Sequence, residues 1–419
     1  MVNDTYRWKL VALLFLIGAT NYGDRTAISS VFPLLRTEFG ATDVELGAIG
    51  TAFLWAYAAA SPFAGMFADR FSRSRIVAGS LAAWSVVTLV TAFATSVGQI
   101  LISRVILGFS EAAYLPAAIA LIADYHSSKT RATAIGLHTA GLTFGLIAGG
   151  AGAGYVGETY GWRTTFVLLG VAGIVLAAFA WFYLKDARPE ESQSETNAVR
   201  EPLLTSLGTI VRVPSYLILL SEAMIVSVGT WIFLNWLPLF FKETYSLSLT
   251  AAGFAGTFML QGAATIGLIL GGMFSDKVSG AQPRRRMLIQ TICYVLCAPF
   301  LLAFLGRPDI FFLNACIFAF SFVQRIGLSN ETPLVCDLLS PQHRSTAVGL
   351  MNTLNCFAGG IGIMVAGFLK STYGLGAVFA GISIIMVAGA ILAGTGYVKF
   401  LGRDLERRKA ATAALAGVH

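Results

Sequence analysis

Four ionisable residues interrupt otherwise apolar stretches in the first third of the 419-residue chain. Asp24 and Arg25 close the run Asn21-Tyr22-Gly23-Asp24-Arg25. Arg104 and Glu111 stand in Arg104-x-x-x-Gly108-x-x-Glu111-Ala112, with Pro116 beyond. Seven residues separate Arg104 from Glu111, which places both on one helix face about 10 Å apart. An arginine offers fixed positive charge and a planar donor fork that suits a carboxylate. A carboxyl in a low-dielectric cavity can bind and release a proton near neutral pH. Arg25 and Arg104 are thus candidate anion binders, and Asp24 and Glu111 candidate proton carriers. The alternative is that Asp24–Arg25 and Arg104–Glu111 neutralise one another as buried pairs. Such pairs contribute little stability, which favours the functional reading.

Other polar residues fall inside apolar runs. Glu222, Arg325 and Glu331 form either a second charged cluster or a brace between helices. Tyr57, Asn235, Gln261, Asn352 and Asn355 could bond substrate hydroxyls, although for each one alone helix-to-helix bonding is the commoner role. His138 is a proton relay or a packing residue. The five cysteines, Cys293, Cys297, Cys316, Cys336 and Cys356, lie in apolar stretches and lack metal-ligand spacing with histidine. No metal and no cofactor is implied. The phosphate-cradling pattern Gly-x-x-x-x-Gly-Lys-Ser/Thr is absent, which argues against ATP-driven work.

These residues are carried by elements of one kind. The chain is 56% hydrophobic and 12% charged, with 44 glycines. That charge content is about half that of a soluble domain. A membrane-crossing helix needs roughly 20 apolar residues. Twelve such runs fall near 8–37, 45–69, 76–97, 100–124, 133–157, 163–185, 213–241, 250–275, 287–306, 309–336, 345–372 and 375–399. The first run starts near Trp8 and continues past any cleavage site, so it reads as a span rather than a signal peptide. The hydrophilic gap 186–212 divides the chain into an N-terminal six-helix bundle, 1–185, and a C-terminal one, 213–419.

The net charge of +7 is unevenly placed. With the N-terminus in the cytoplasm, 21 of the 29 Lys and Arg residues fall on that side and five on the other. This satisfies the positive-inside rule with both termini cytoplasmic. The basic charge then faces anionic lipid head groups, and no nucleic-acid partner is needed.

The two halves repeat. Gly65-Met66-Phe67-Ala68-Asp69-Arg70 ends span two, and Gly272-Met273-Phe274-Ser275-Asp276-Lys277 ends span eight. Asp124 with Arg131-Ala132-Thr133 follows span four, and Asp337 with Arg344-Ser345-Thr346 follows span ten. The stretch Gly65-x-x-x-Asp69-Arg70-x-Ser72-Arg73-Ser74-Arg75 resembles the signature loop of the major facilitator superfamily. Ser72 replaces the usual glycine there. The resemblance implies twelve helices in two pseudo-symmetric bundles, and a gating role for Gly65, Asp69, Arg70, Arg73, Asp276 and Lys277. It also implies that spans one and four line the cavity.

Asn-Tyr-x-Asp-Arg in span one and Arg-x-x-x-Gly-x-x-Glu-Ala in span four resemble the anion:cation symporter group, which includes sialin and the hexuronate and galactonate carriers. Spinster-like lipid carriers share much of this first half and are the near alternative. Asn355, then Asn352, resembles a substrate-contacting stretch of the symporter group. The expectation is a secondary carrier and not an enzyme. It would be a monomer in a bacterial inner membrane, with a small organic anion and protons as cargo. A lysolipid or drug-like amphiphile is the second cargo class. A non-transporting receptor or membrane enzyme is remote, because linker and tail hold no catalytic constellation.

Overall fold

The computed structural model describes residues 4–127, 129–186, 203–280 and 282–416, with backbone alone for 4, 65–70, 203–204 and 411–416. Every regular element among them is helical: α1 (Asp4–Ser30), α2 (Phe32–Phe39), α3 (Asp43–Arg70), α4 (Arg73–Thr91), α5 (Val97–Glu111), α6 (Tyr114–Tyr125), α7 (Arg131–Tyr160), α8 (Trp162–Tyr183), α9 (Leu203–Ile210), α10 (Pro214–Tyr245), α11 (Leu249–Ser279), α12 (Arg284–Cys297) with a 3-10 extension (Ala298–Leu305), α13 (Ile310–Leu328), α14 (Glu331–Leu338), α15 (Pro341–Lys399) and α16 (Leu401–Ala416).

Length and composition alone mark ten membrane-crossing helices among the described residues. Two additions bring the number to twelve. The 59-residue α15 breaks at Gly374, whose φ of 75° lies in the left-handed region that glycine tolerates, so it is two spans. The other addition is α1, long enough at 27 residues but carrying Asp24 and Arg25 in its apolar run.

Helix starts follow the local sequence. Thr42 and Glu45 form a reciprocal capping box at α3: the Glu45 amide donates to Thr42 Oγ1 at 3.2 Å, and the Thr42 amide to Glu45 Oε2 at 2.8 Å. Ser72 caps α4, and Asp309 caps α13 through the Phe311 and Phe312 amides. Three spans that the hydropathy pattern joins are interrupted. Span one breaks at Val31, ahead of Pro33, which has no N–H to give. Span four breaks between Glu111 and Tyr114, and span ten between Leu328 and Glu331. Both later breaks stand beside an ionisable residue and shortly before a proline, Pro116 or Pro333.

The chain forms two compact units. Unit 1 holds 1–196, 232–258 and 363–372; unit 2 holds 197–231, 259–362 and 373–419. In unit 1, α1 and α7 meet along small residues. Gly141, Gly145 and Gly149 on α7 face Phe15, Ala19 and Gly23 on α1, each pair so close that a Cβ on the α7 glycine would overlap α1 backbone. This four-residue periodicity is how membrane helices gain close van der Waals packing. It also sets the rotation of α1, and hence the direction of Asp24 and Arg25 beside Gly23. Likewise Gly108 on α5 lies against Phe53, Ala56 and Tyr57 of α3. The core of unit 2 gathers Tyr216, Leu219, Met287, Leu334, Val335, Ala347 and Leu401. There the Tyr216 hydroxyl donates to the Ala347 carbonyl at 2.8 Å.

The sequence repeat reappears as hydrogen-bond geometry. In unit 1 Arg73 pairs with Asp124, and Arg131 donates from Nε to the His126 carbonyl and from Nη2 to that of Ala123. In unit 2 Arg286 lies 3.9 Å from Asp337, and Arg344 donates from Nε to Leu339 and from Nη2 to Cys336. Every one of these partners is displaced by 213 positions.

Candidate functional site

The four charges of spans one and four converge inside unit 1, and the pairing crosses helices. Arg25 Nε donates to Glu111 Oε2 at 2.8 Å, with the arginine side chain 7% and the glutamate 0% exposed. The adjacent combinations weighed from the sequence, Asp24 with Arg25 and Arg104 with Glu111, are not the ion pairs formed. Successive helix positions point in different directions, so Asp24 and Arg25 face different neighbours. Arg25 Nη2 also donates to Asn21 Oδ1 at 3.3 Å. Three aromatic rings surround its guanidinium: Tyr22 at 4.4 Å, Tyr57 at 4.8 Å and Phe53 at 5.0 Å. Ring faces stabilise a desolvated cation, by up to about 2 kcal/mol each in such surroundings. Tyr57 thus joins the cluster. Phe53 and Tyr22 join it too; an apolar ring carried no signal of this role in the sequence.

Asp24 is buried and accepts the Thr88 hydroxyl of α4 through Oδ2, leaving Oδ1 without a partner. Thr88, uncharged and set in an apolar run, carries no sequence signal of this role. Arg104 is 2% exposed, lies in the field of Asp24 and Glu111, and makes no hydrogen bond among the described residues. Its guanidinium carbon stands 5.9 Å from the Phe166 ring centre. Glu111 Oε1 is likewise unpartnered. The cluster is therefore neutral in formal charge yet incompletely bonded. One arginine is engaged and one is not, and each carboxyl keeps an oxygen free.

His138 on α7 packs against α1 at Leu14 and Gly18 and against Tyr114. Its Nδ1 is 3.0 Å from the Leu14 carbonyl, its ring meets Tyr114 edge-on at 5.8 Å, and Nε2 is unpartnered. Asn235 on α10 is buried against Gly50, one turn before Phe53 on α3. Gln261, Asn352 and Asn355 belong to unit 2. Gln261 is buried, Asn352 is exposed, and Asn355 is half-buried with an unpartnered Oδ1 while its carbonyl accepts the Ser227 hydroxyl at 2.8 Å. Of the loop residues, Arg73 is paired as described, Asp276 pairs with Arg286 at 2.6 Å, and Lys277 is exposed. Gly65, Asp69 and Arg70 have side-chain surroundings outside the described residues. So does linker 187–202.

Unit 2 holds the remaining ionisable group. Glu222 on α10 is fully buried and accepts from Gln290 Nε2 at 2.8 Å; Gln290 Nε2 also lies 3.3 Å from the Tyr294 hydroxyl. Arg325 in the last turn of α13 and Glu331 at the start of α14 flank the break between these helices, each in the other's electrostatic field. Gln290 and Tyr294 were not apparent from the sequence, since a lone Gln or Tyr in an apolar run has no distinguishing pattern.

The family model described as Major Facilitator Superfamily matches residues 14–362 and again 223–415. An MFS-type efflux pump of Mycolicibacterium smegmatis is 26% identical over 391 residues, covering 92% of this chain and 90% of that protein. A protein of Bacillus subtilis named Probable galactarate/D-glucarate transporter is 28% identical over 299 residues, covering 64% and 65%. Among solved structures, a bacterial homologue of the human lysosomal transporter Spinster superposes with a TM-score of 0.79 at 21% identity, over 97% of this chain and 98% of that one. That structural likeness bears on the fold. With twelve spans, repeated loop contacts and a family match over most of its length, this chain belongs to the Major Facilitator Superfamily and is an integral-membrane transporter, not an enzyme.

Proposed function

We propose that this chain is a proton-coupled symporter of a small organic anion, a sugar acid or similar carboxylate, working by alternating access. The observation that carries this reading is the buried Arg25–Glu111 ion pair with Arg104 unengaged beside it. In one resting arrangement Glu111 occupies the donor fork of Arg25. A proton arriving on the free Glu111 Oε1 removes that carboxylate's charge and weakens its hold. Arg25 and Arg104 can then present two planar forks to an incoming carboxylate. Loss of the proton restores the internal pair and expels the anion. Asp24, with its own free oxygen, is the second proton carrier. Asn235, Gln261, Asn352 and Asn355 are the proposed hydroxyl contacts. The sugar-acid relative supports this cargo class.

The division into 1–185, linker 186–212 and 213–419, the cytoplasmic termini, the inner-membrane location, the monomeric state and the gating role of the Asp69 and Asp276 loops belong to the same proposal. The repeated Arg–Asp contacts support the division into halves and the gating role, and the excess of basic residues in the loops assigned to the cytoplasm supports the orientation.

Uptake into proteoliposomes under an imposed pH gradient tests the reading, with galactarate, D-glucarate and other carboxylates as cargo. Glu111→Gln is expected to abolish proton-driven accumulation while leaving counterflow exchange. Arg25→Lys, which keeps the charge and loses the fork, is expected to raise KM about 10–100-fold, the effect of one charge-assisted contact. Proton-driven accumulation that survives in Glu111→Gln would remove the coupling role. A second reading, outward transport of an amphiphile, is favoured by the efflux-pump relative. It requires extrusion of a drug-like cation or lysolipid that Arg25→Lys leaves unchanged.

A further inference from the structure

The buried group in unit 2 has two carboxyls and one guanidinium. Glu222 comes from α10, Gln290 and Tyr294 from α12, Arg325 from α13 and Glu331 from α14. Span twelve brings Gly389 beside the group, and a Cβ there would lie 4.0 Å from Glu222 Cγ. Cys293 and Cys297 on α12 are nearby thiols; like Tyr294, Cys293 borders Gly327 near the α13–α14 break, and Cys297 Sγ donates to the Tyr294 carbonyl at 3.4 Å. With both carboxyls ionised, one negative charge would stand in the bundle interior without a counter-charge. Such a charge costs several kcal/mol.

The hydrogen-bond inventory shows the same imbalance. Glu222 Oε1, Gln290 Oε1 and Glu331 Oε1 are all buried and unpartnered. All three are acceptors, against one unpartnered donor in the same group, Arg325 Nε. Glu222 and Gln290 are each 0% exposed, so bulk water cannot serve them. Even counting Arg325 Nε–H and the Tyr294 O–H beside Glu222, donors are fewer than acceptors. A protonated carboxyl supplies one O–H and at the same time removes the surplus charge.

We propose that Glu222 and Glu331 form a second proton-binding site, which holds one proton between them inside unit 2 and is independent of the Asp24–Glu111 cluster. The proton comes from hydronium: an O–H bond forms on a carboxylate oxygen and a water molecule departs. Arg325 neutralises the remaining carboxylate. Unit 2 then takes up one proton of its own, with no substrate required.

Infrared difference spectroscopy on the full chain in nanodiscs tests this. The background is Asp24→Asn/Glu111→Gln, which removes the unit 1 carboxyls and with them any dependence on the transport proposal. At neutral pH the protonated-carboxyl stretching band is expected in this protein, shifting in heavy water. Adding Glu222→Gln and Glu331→Gln is expected to abolish it. Identical spectra before and after that addition overturn the proposal. The glutamines keep the shape of the carboxyls, while the pair of them leaves Arg325 without a counter-charge, which the single variant avoids. If the fourfold protein does not fold, Glu222→Gln alone is compared with the parent, and an undiminished band again overturns the proposal. Thermal melting in sodium against choline chloride gives the remaining outcome. A sodium-dependent rise that Glu222→Gln abolishes would make the occupant a metal cation, and the proton assignment would be wrong.

Discussion

At the scale of residues, the decisive fact is which partner each charge finds. Arg25 reaches Glu111 across 86 positions of sequence, while its neighbour Asp24 turns to Thr88. Candidate identity was legible, because ionisable groups in apolar runs are conspicuous. Partner choice was not, because it depends on helix rotation that no spacing within one helix reveals. A residue outside the membrane gives a simple pH test. Glu38, at the end of α2, receives the Trp162 indole N–H at 2.6 Å and pairs with Arg163. Slight burial works against its ionisation, but these two donors hold the carboxyl below its ordinary range. A lowered folded value means the contribution is present above the unfolded carboxyl range near pH 4.3 and is lost as pH falls through the folded value. Glu38→Gln is expected to lower the melting temperature slightly at pH 7. The gap between variant and parent should close as melts are run at increasing acidity. A gap of constant size would mean the pair contributes nothing electrostatic.

At the scale of elements, glycines decide how near the charged helices can come. The stretch Gly141 to Gly157 read as a close-packing surface, and α7 uses it against α1. A Cβ at Gly145 would come within 2.7 Å of Ala19 Cα, whereas one at Gly152 meets nothing within 4 Å. Gly145→Ala is expected to destabilise by roughly 1–3 kcal/mol through overpacking. It should also impair transport, because α1 must shift and carry Asp24 and Arg25 with it. Gly152→Ala on the same helix is the control and is expected to melt like the parent. Equal melting of the two variants would show that the α1–α7 contact is not tight. Spans were legible as elements, but the breaks at 31, 112–113 and 329–330 were not. Hydropathy is blind to a change of backbone direction within an apolar run, and the nearby prolines permit such a change without requiring it.

At the scale of the whole molecule, duplication is the organising fact. Arg131 and Arg344 bind the carbonyls of residues 126 and 123, and 339 and 336, with matching atoms. Unit 1 also contains an alternating ring of charge. Arg36 and Lys370 each pair with both Asp43 and Glu243, and Lys370 is only 9% exposed. Asp43 and Glu243 begin and end separate helices, so the ring ties segments distant in sequence. Orientation in the membrane is testable on intact cells, in a background with all five cysteines replaced. A membrane-impermeant maleimide is expected to label Arg307→Cys from outside, and Lys129→Cys only after permeabilisation. The reverse pattern would overturn the assignment of cytoplasmic termini.

The sequence by itself determined that this chain lives in a membrane, how many times it crosses, where it repeats and which charges are anomalous. These properties follow from composition and period, which are local and additive along the chain. Only the tertiary structure decided that Arg25 belongs to Glu111 and Asp24 to Thr88, that Tyr22, Phe53 and Tyr57 enclose one guanidinium, and that Gln290 and Tyr294 attend Glu222. Those pairings rest on the rotation and approach of whole helices. Rotation and approach are set by small-residue contacts between segments fifty or more positions apart, and no local pattern encodes them.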